Sequence, residues 1–453
     1  MVTWNVRAAA AVAALSCGLW ASCTRAPEPV EDSAGEAGAL DAGAIDAGAV
    51  ETGPVTLSVA GHASATPWIA ADGDRVAVSW GAQAVGGGTD VYVAVSGDGG
   101  RAFGAPVRVN DRPGTARLGG EMAPRVAFAP AAGMAQDAAP RLQVLWTAVE
   151  DQRTSIRVAR SEDRGRTFGA PRALEDEGAP GDRGWPALAA DGQGAVHAVW
   201  LDHRGMAAQA GAGHHHHGAG TGGAEEAAAG VAMAQLSALY YAGAAGEREL
   251  AKGVCYCCKT ALVPGPDGAL FAAWRHVYPG NLRDIAFTAS ADGGRTFAEP
   301  IRVSEDGWQL NGCPDDGPAM AVGGDAAVHI VWPTVVSEPE PHKALFYATR
   351  DSGAFTPRAR VSPERRNIAH PQIALSPGGD LLVLWDEMAG GRRQVFVSRK
   401  SADAAAFSAP EPISDGDAAL YPVAVFAGGA FVVAWTDSGG DGSRISVRRI
   451  SVR

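Results

Sequence analysis

The segment Val76-Ala-Val-Ser-Trp80 is the first of seven short apolar segments that end in tryptophan. The other six end at Trp146, Trp200, Trp274, Trp332, Trp385 and Trp435. Five of the seven tryptophans follow a proline by 13 or 14 residues, and a glycine-containing turn lies between the two. One phrase that recurs along a chain in this way is typical of a fold built from repeated supersecondary units.

Further short strands follow each tryptophan. A third apolar segment is visible at residues 91–95 and 285–287, and a fourth at residues 106–109. Four strands per repeat, rich in β-branched and aromatic residues and separated by glycine turns, indicate a propeller blade. The last repeat supplies three strands, and residues 54–59 supply a fourth whose pairing would close the ring and protect two edges. The sequence therefore predicts an all-β, seven-bladed β-propeller of four-stranded antiparallel blades, with six blades as the alternative.

A second motif, Ser-x-Asp-x-Gly-x-Thr-Phe, lies between the third and fourth strands. Complete copies begin at Ser161 and Ser290, and the copy at Ser96 lacks only the threonine. This motif resembles the Asp-box (BNR) repeat of the sialidase superfamily, and the resemblance covers essentially residues 55–453. We expect its aspartates to accept hydrogen bonds from turn amides and its glycine to take a positive φ, which is a structural role. These aspartates are Asp98, Asp163 and Asp292.

The resemblance implies a ligand-binding face on the side opposite the Asp-box turns, formed by the loops before each first strand and after each tryptophan strand. Sialidases hold a carboxylate with three arginines and use a tyrosine nucleophile. The first of these arginines has no counterpart here, because the corresponding stretch is Ser64-Ala-Thr-Pro67. The candidate nucleophile is Tyr421, whose alternative role is packing at a strand entrance. The candidate anion-binding arginines, whose alternative role is an ordinary loop charge, are Arg204, Arg275, Arg283 and Arg392.

The cysteines form an unusual cluster. Cys255-Tyr-Cys257-Cys258 precedes the fourth repeat and Cys313 precedes the fifth, so both segments should lie side by side on the ligand-binding face. In an exported protein we expect a disulfide between Cys313 and one cysteine of the cluster. The alternative is a thiolate site for Cu(I) or Zn²⁺, which His276 or His370 would complete. Apart from such an ion, we expect no cofactor.

The N-terminal region predicts export. Residues 1–23 have the form of a signal peptide, and Trp20-Ala-Ser-Cys23 resembles a bacterial lipobox, so we expect lipidation at Cys23. Residues 24–53 are acidic and rich in alanine and glycine, which predicts a disordered tether, and residues 54–453 form the propeller domain. We therefore expect an extracytoplasmic protein that contacts a bacterial membrane through its lipid anchor only. The alternative is plain secretion.

Composition sets the remaining limits. A hydrophobic fraction of 46% with 19% charged residues excludes global disorder, and a net charge of −12 argues against nucleic acid as a partner. We expect a monomer that binds a glycan or a protein on its loop face, because the catalytic set is incomplete. An exo-acting glycoside hydrolase of sialidase type is the alternative, and a metal-binding or redox propeller that uses the cysteine cluster is the second alternative.

Overall fold

The computed structural model describes residues 53–130, 140–151, 153–207, 231–310, 314–337, 340–361, 368–440 and 442–452. Four predicted features lie outside these ranges: the signal peptide, the lipidation site Cys23, the tether up to residue 52 and the disulfide partner Cys313. Within them, no helix combines the length and the apolarity that a membrane-spanning segment needs.

Nearly all regular structure in the described residues is β-strand. Five antiparallel sheets have four strands each, in chain order. The first sheet contains β2 (His62–Asp72), β3 (Arg75–Ala84), β4 (Thr89–Ser96) and β5 (Val107–Arg108). The second contains β6 (Arg125–Ala129), β7 (Arg141–Glu150), β8 (Arg153–Ser161) and β9 (Arg172–Ala173). The third sheet contains β10 (Arg183–Ala190), β11 (Val196–Asp202), β12 (Ala238–Gly243) and β13 (Gly246–Lys252). The fourth contains β14 (Ala261–Pro264), β15 (Leu270–Arg275), β16 (Ile285–Ser290) and β17 (Ile301–Arg302). The fifth contains β18 (Ala319–Val322), β19 (Val328–Val336), β20 (His342–Arg350) and β21 (Ala359–Arg360). A short helix, α1 (Arg204–Ala207), follows β11, and a 3₁₀ turn (Pro266–Gly268) precedes β15.

The sixth sheet has eight strands and consists of two groups of four. One group contains β22 (Ile368–Leu375), β23 (Leu381–Ala389), β24 (Arg392–Lys400) and β25 (Glu411–Pro412). The other contains β26 (Ala418–Ala427), β27 (Ala430–Gly439), β28 (Gly442–Ile450) and, from the start of the domain, β1 (Val55–Leu57). A single parallel pair, Arg393 with Ala418, joins the two groups. The described strands therefore form seven four-stranded groups, which we interpret as blades.

The groups follow one another around a ring. The first strand of each group contacts the first strand of the next, in the cyclic order β2, β6, β10, β14, β18, β22, β26 and back to β2. The antiparallel pairing of β1 with β28, from Val55 opposite Val447 to Leu57 opposite Ile445, joins the beginning of the domain to its end. The predicted fold class, an all-β propeller of four-stranded antiparallel blades, is confirmed.

The repeated tryptophans lie in the second strand of each group and are buried between neighbouring groups. Trp80 packs in one apolar cluster with Val432 and Ile445 of the last group, and Trp332 packs in another with Phe271 and Phe287 of the group before it. Second strands are covered on both faces by adjacent groups, which explains why their sequences are apolar almost throughout.

The Ser-x-Asp turns are held by their own side chains. Asp163 Oδ1 accepts a hydrogen bond from the Ser161 hydroxyl (2.8 Å) and Asp163 Oδ2 accepts one from the Thr167 hydroxyl (2.6 Å). The Thr167 hydroxyl is the main cause that lowers the pKa of Asp163 to about 2, and Thr296 does the same for Asp292. Asp98, whose copy lacks the threonine, binds Ser96 and two backbone amides. Because strands alternate in direction, these turns lie at the end opposite the start of each first strand.

Candidate functional site

A central channel runs along the ring of first strands. It encloses about 880 Å³ and is lined by all seven first strands, with small side chains at many positions. These small side chains include Ala70, Ala127, Ala189, Ala321, Ala374 and Ala424. These alanines offer little chemistry. Polar side chains line the channel at both ends, among them Asp325 and His329 at one end and Lys259 at the other, where the first strands begin. We call this end the mouth of the channel.

Four of the first strands carry a residue–proline pair near their start: Thr66-Pro67, Trp185-Pro186, His370-Pro371 and Tyr421-Pro422. The residue before each proline has a positive φ of 52°, 49°, 54° and 54° in that order. The strand register shifts at each pair, as in a β-bulge. A positive φ is costly for a non-glycine residue, and a proline that follows restricts its backbone further. Strain of this kind, repeated at one end of the ring, is characteristic of a functional site.

His370 and Tyr421 form the centre of the candidate site. Their ring centroids are 4.2 Å apart, and both residues line a small cavity of about 20 Å³ at the mouth. Asp386, directly after Trp385, holds the pair: its Oδ2 binds His370 Nδ1 (2.7 Å) and accepts a hydrogen bond from the Tyr421 amide (2.9 Å). One carboxylate therefore binds the His370 ring and the Tyr421 backbone.

The electrostatics of the two rings differ. Burial lowers the pKa of His370, but the hydrogen bond and the charge of Asp386 outweigh it, so the pKa lies above its ordinary value. Burial, followed by the charges of Asp315 and Asp386, raises the pKa of Tyr421 to about 12. At neutral pH the phenol is therefore protonated, and the imidazole has an increased tendency to carry a proton.

A buried ion pair crosses the mouth beside these rings. Glu121 Oε1 lies 2.7 Å from the ammonium of Lys259, and the two side chains are 1% and 4% exposed. Glu121 Oε2 accepts hydrogen bonds from the backbone amides of Lys259 (3.1 Å) and Gly317 (2.7 Å), and the ammonium donates to the Pro371 carbonyl (2.8 Å). These contacts join the entrances of four groups, because the residues precede or begin β6, β14, β18 and β22.

Two adjacent aspartates have opposite pKa shifts. Burial raises the pKa of Asp316, but the ion pair with Lys343 outweighs it, so the pKa lies below its ordinary value. Burial and then the charge of Glu121 raise the pKa of Asp315 to about 6. Asp315 lies close to Gly120, where an added Cβ would be 2.4 Å from Asp315 Oδ2. A carboxyl that titrates near neutral pH is suited to general acid–base chemistry.

We expect the replacement Asp315→Asn to flatten the pH dependence of stability. The pKa of Asp315 is about 6 in the folded chain against 3.8 for an ordinary aspartate, so the folded chain binds more protons between these values. The free energy of unfolding should therefore fall as the pH rises from about 4 to about 6. Melting temperatures across this range, for both proteins, measure the effect. Parallel curves would contradict the assignment.

Arg125 contributes a hydrogen-bond donor to the same cavity. Its guanidinium carbon lies 3.7 Å from the centroid of the Trp68 ring, and its Nε donates to the Pro186 carbonyl (2.7 Å). Burial lowers the pKa of Arg125 to about 9. Within the described residues, its buried Nη1 has no hydrogen-bond partner. Arg125 and Trp68 line the cavity with His370 and Tyr421, so a ligand acceptor at this place would satisfy the free donor.

The predicted arginines have local roles. Arg275 is buried and donates to three backbone carbonyls, those of Asp316, Arg283 and Pro333. Arg204 pairs with Asp202 and Glu247. Arg283 donates to Asn281 Oδ1 and to Cys255 Sγ. Arg392 is exposed and donates to the Asp415 carbonyl. None of the four lines the cavity at the mouth, whereas Tyr421 does.

Sequence reasoning singled out Tyr421 but named His370 only as an additional metal ligand. The residue–proline pairs were a usable signal, because they mark the positions at which a first strand begins. Glu121, Arg125, Lys259 and Asp315 were missed. They lie in segments of variable length without a recurring phrase, so no pattern in the sequence distinguishes them.

Comparison with known structures supports the architecture. A polysaccharide lyase of family PL25, an ulvan lyase, matches with a TM-score of 0.56 and 10% identity over 88% of this chain and 96% of that chain. A second structure of such a lyase, bound to -[GlcA(1-4)Rha3S]-, matches equally well, and the polysaccharide lyase Uly1 matches with a TM-score of 0.50 and 11% identity over 87% and 91%. At these identities the likeness shows the shared fold alone. No family model and no curated protein matches the sequence.

Proposed function

We propose that this chain is an extracytoplasmic, glycan-active propeller that binds and cleaves a polysaccharide at the mouth of the channel. The observation that carries this proposal is the convergence of His370, Tyr421, Asp315 and Arg125 around one end of the ring. Propellers that share the fold include polysaccharide lyases, one of them bound to a glucuronate-containing glycan. Export and attachment through a lipid on Cys23 are parts of the same proposal, since such glycans lie outside the cell.

The residues at the mouth supply the parts of an acid–base site. Because His370 Nδ1 is engaged with Asp386, its Nε2 is the ring nitrogen that can exchange a proton with a ligand. Tyr421 keeps its proton at neutral pH and can donate it to a leaving oxygen, and Asp315 titrates close to neutral pH. Arg125 Nη1 is placed to bind an acceptor oxygen of the ligand, such as that of a uronate carboxylate.

The same geometry weakens the sialidase alternative. A tyrosine nucleophile is activated by lowering its pKa or by an adjacent base, whereas burial and neighbouring carboxylates raise the pKa of Tyr421 to about 12. The four candidate arginines are engaged elsewhere, so they do not provide a carboxylate-binding triad at the mouth. Tyr421 therefore fits the role of an acid better than that of a nucleophile.

The test is a screen of uronate-containing and neutral polysaccharides, with fluorogenic sialosides included for the alternative. New reducing ends report any cleavage, and ultraviolet absorbance of an unsaturated uronate distinguishes elimination from hydrolysis. With a substrate found, we expect His370→Asn and Tyr421→Phe each to lower kcat/KM by about 100-fold or more.

The chain provides a matched control for these variants. His197 Nδ1 and the Tyr241 hydroxyl form a second, buried histidine–tyrosine pair (2.7 Å) in β11 and β12, remote from the cavity at the mouth. We expect Tyr241→Phe to leave kcat/KM unchanged. Equal losses in Tyr241→Phe and Tyr421→Phe would mean a structural effect only, and glycan binding without cleavage would reduce the proposal to a binding module.

A further inference from the structure

We propose that Cys255 and Cys258 form a redox-active dithiol, which closes to an intramolecular disulfide by exchange with a small-molecule disulfide. This site is separate from the glycan site and does not depend on its function. Both cysteines are free thiols, spaced as Cys-x-x-Cys, and the Cys258 thiol donates to Cys255 Sγ across 3.5 Å. Two sulfurs at this spacing and distance need little movement to bond.

The surrounding structure holds the two sulfurs together. The Cys255 amide donates to the Arg275 carbonyl (2.9 Å), and an isolated bridge joins Val254 to His276. The cysteines pack in one buried cluster with Trp185 and Val277. The amide of Lys259, directly after Cys258, donates to Glu121 Oε2, so the turn is held on both sides and the dithiol is preorganised for closure.

The two thiols are electrostatically unequal. Arg283 Nη1 donates to Cys255 Sγ (3.4 Å). The hydrogen bond from Cys258 is the main cause that lowers the pKa of Cys255 to about 6. Burial opposes this shift, and the charges of Arg283 and Arg275 assist it. Burial raises the pKa of Cys258 well above its ordinary value. This asymmetry suits an attacking thiolate at Cys255 and a resolving thiol at Cys258. Because the two residues are only 1% and 2% exposed, a small disulfide reaches them only when the surrounding turn opens.

The same neighbours argue against a metal ion. The three sulfurs of Cys255, Cys257 and Cys258 lie within 4.8 Å of one another, which is close enough for a soft cation. Cys257, however, is disulfide-bonded, so only two thiols of this cluster are free. The guanidinium of Arg283 already contacts the sulfur that a cation would need, and like charges repel. The cluster therefore fits disulfide chemistry better than metal binding.

The exchange proceeds in two balanced steps. The Cys255 thiolate attacks one sulfur of the small disulfide, which breaks its S–S bond, releases one thiolate and leaves a mixed disulfide on Cys255. Cys258 then loses its proton to the released thiolate and attacks Cys255 Sγ, which expels the second thiolate. The small disulfide is reduced by two electrons to one thiol and one thiolate, the thiolate takes up from water the proton that Cys255 had lost on ionising, and the protein dithiol is oxidised by two electrons.

The experiment exposes the full chain to a series of glutathione redox buffers, quenches with acid, alkylates free thiols and maps them by mass spectrometry. We expect the thiols of Cys255 and Cys258 to disappear together, with a bond between them. Cys258→Ser should trap glutathione on Cys255. Cys255→Ser should leave Cys258 reacting roughly 10-fold more slowly or less at neutral pH, because its thiolate fraction is small.

Two results would overturn the proposal. The first is equal trapping of glutathione by the two serine variants, and the second is a stoichiometric Cu(I) or Zn²⁺ ion in the purified protein that protects both thiols. If a variant fails to fold, the wild-type chain decides by its alkylation profile. Loss of both thiols together in oxidising buffer, with a bond between Cys255 and Cys258, supports the dithiol, and two thiols that remain open to alkylation in every buffer contradict it.

Discussion

Replacing Glu121 by glutamine is expected to lower the free energy of unfolding by about 3–5 kcal/mol, which is the usual cost of removing one partner from a buried ion pair. The Lys259 ammonium is 4% exposed and lies 2.7 Å from the Glu121 carboxylate, so the variant leaves a cation in the interior without its counter-charge. Glu121 also accepts two backbone amides, from Lys259 and Gly317, across different groups of strands. Denaturation in urea measures the loss.

Two controls separate the buried charge from a general effect of the substitution. In the double variant Glu121→Gln with Lys259→Met, the unpaired cation is removed, so the loss should be smaller than the sum of the two single losses. Glu162, which is 53% exposed and pairs with Arg141 at 2.8 Å, supplies a surface comparison. We expect Glu162→Gln to cost less than about 1 kcal/mol. Similar losses for Glu121→Gln and Glu162→Gln would contradict the assignment.

Replacing Trp80 by alanine should lower the free energy of unfolding by about 3–5 kcal/mol, because it removes a buried aromatic side chain and leaves a cavity. Trp80 is fully buried and packs against Val432, Ile445 and Val447 of the last group, so its loss weakens the contact that closes the ring. Its indole also donates to the Ser64 hydroxyl (3.1 Å). Calorimetry and urea denaturation measure the change.

Trp80→Phe is the matched variant. It keeps much of the apolar packing but leaves the Ser64 hydroxyl without the indole donor, so we expect a smaller loss, about 1–3 kcal/mol. Equal stability of the wild-type and alanine proteins would show that the repeated tryptophans do not hold neighbouring groups together.

The fold is readable from the sequence because its physical cause repeats. Each second strand is covered on both faces, which favours apolar residues at most positions and a large side chain, and this requirement recurs at Trp80, Trp200 and Trp332. Ring closure was predictable for a related reason, since residues 54–59 had no partner within the first repeat, and β1 pairs with β28.

The candidate site is only partly readable, because one residue type serves different purposes at a strand end. Arg275 was a candidate for binding a carboxylate, but its donors are taken by backbone carbonyls, a use that depends on how the chain folds around it. Glu121 and Lys259 are 138 residues apart and meet only when the ring is assembled. Nothing in the sequence around either residue predicts this contact.

The bulges at the residue–proline pairs have a consequence for how such a molecule can change. At Thr66, Trp185, His370 and Tyr421 the register shifts, and regular pairing resumes after the proline. Altering one of these side chains therefore changes the surface at the mouth without displacing the rest of its strand. New specificities can accumulate at Thr66 and Trp185 one residue at a time while the scaffold persists and His370 and Tyr421 are retained, which makes these two positions the targets for a combinatorial library.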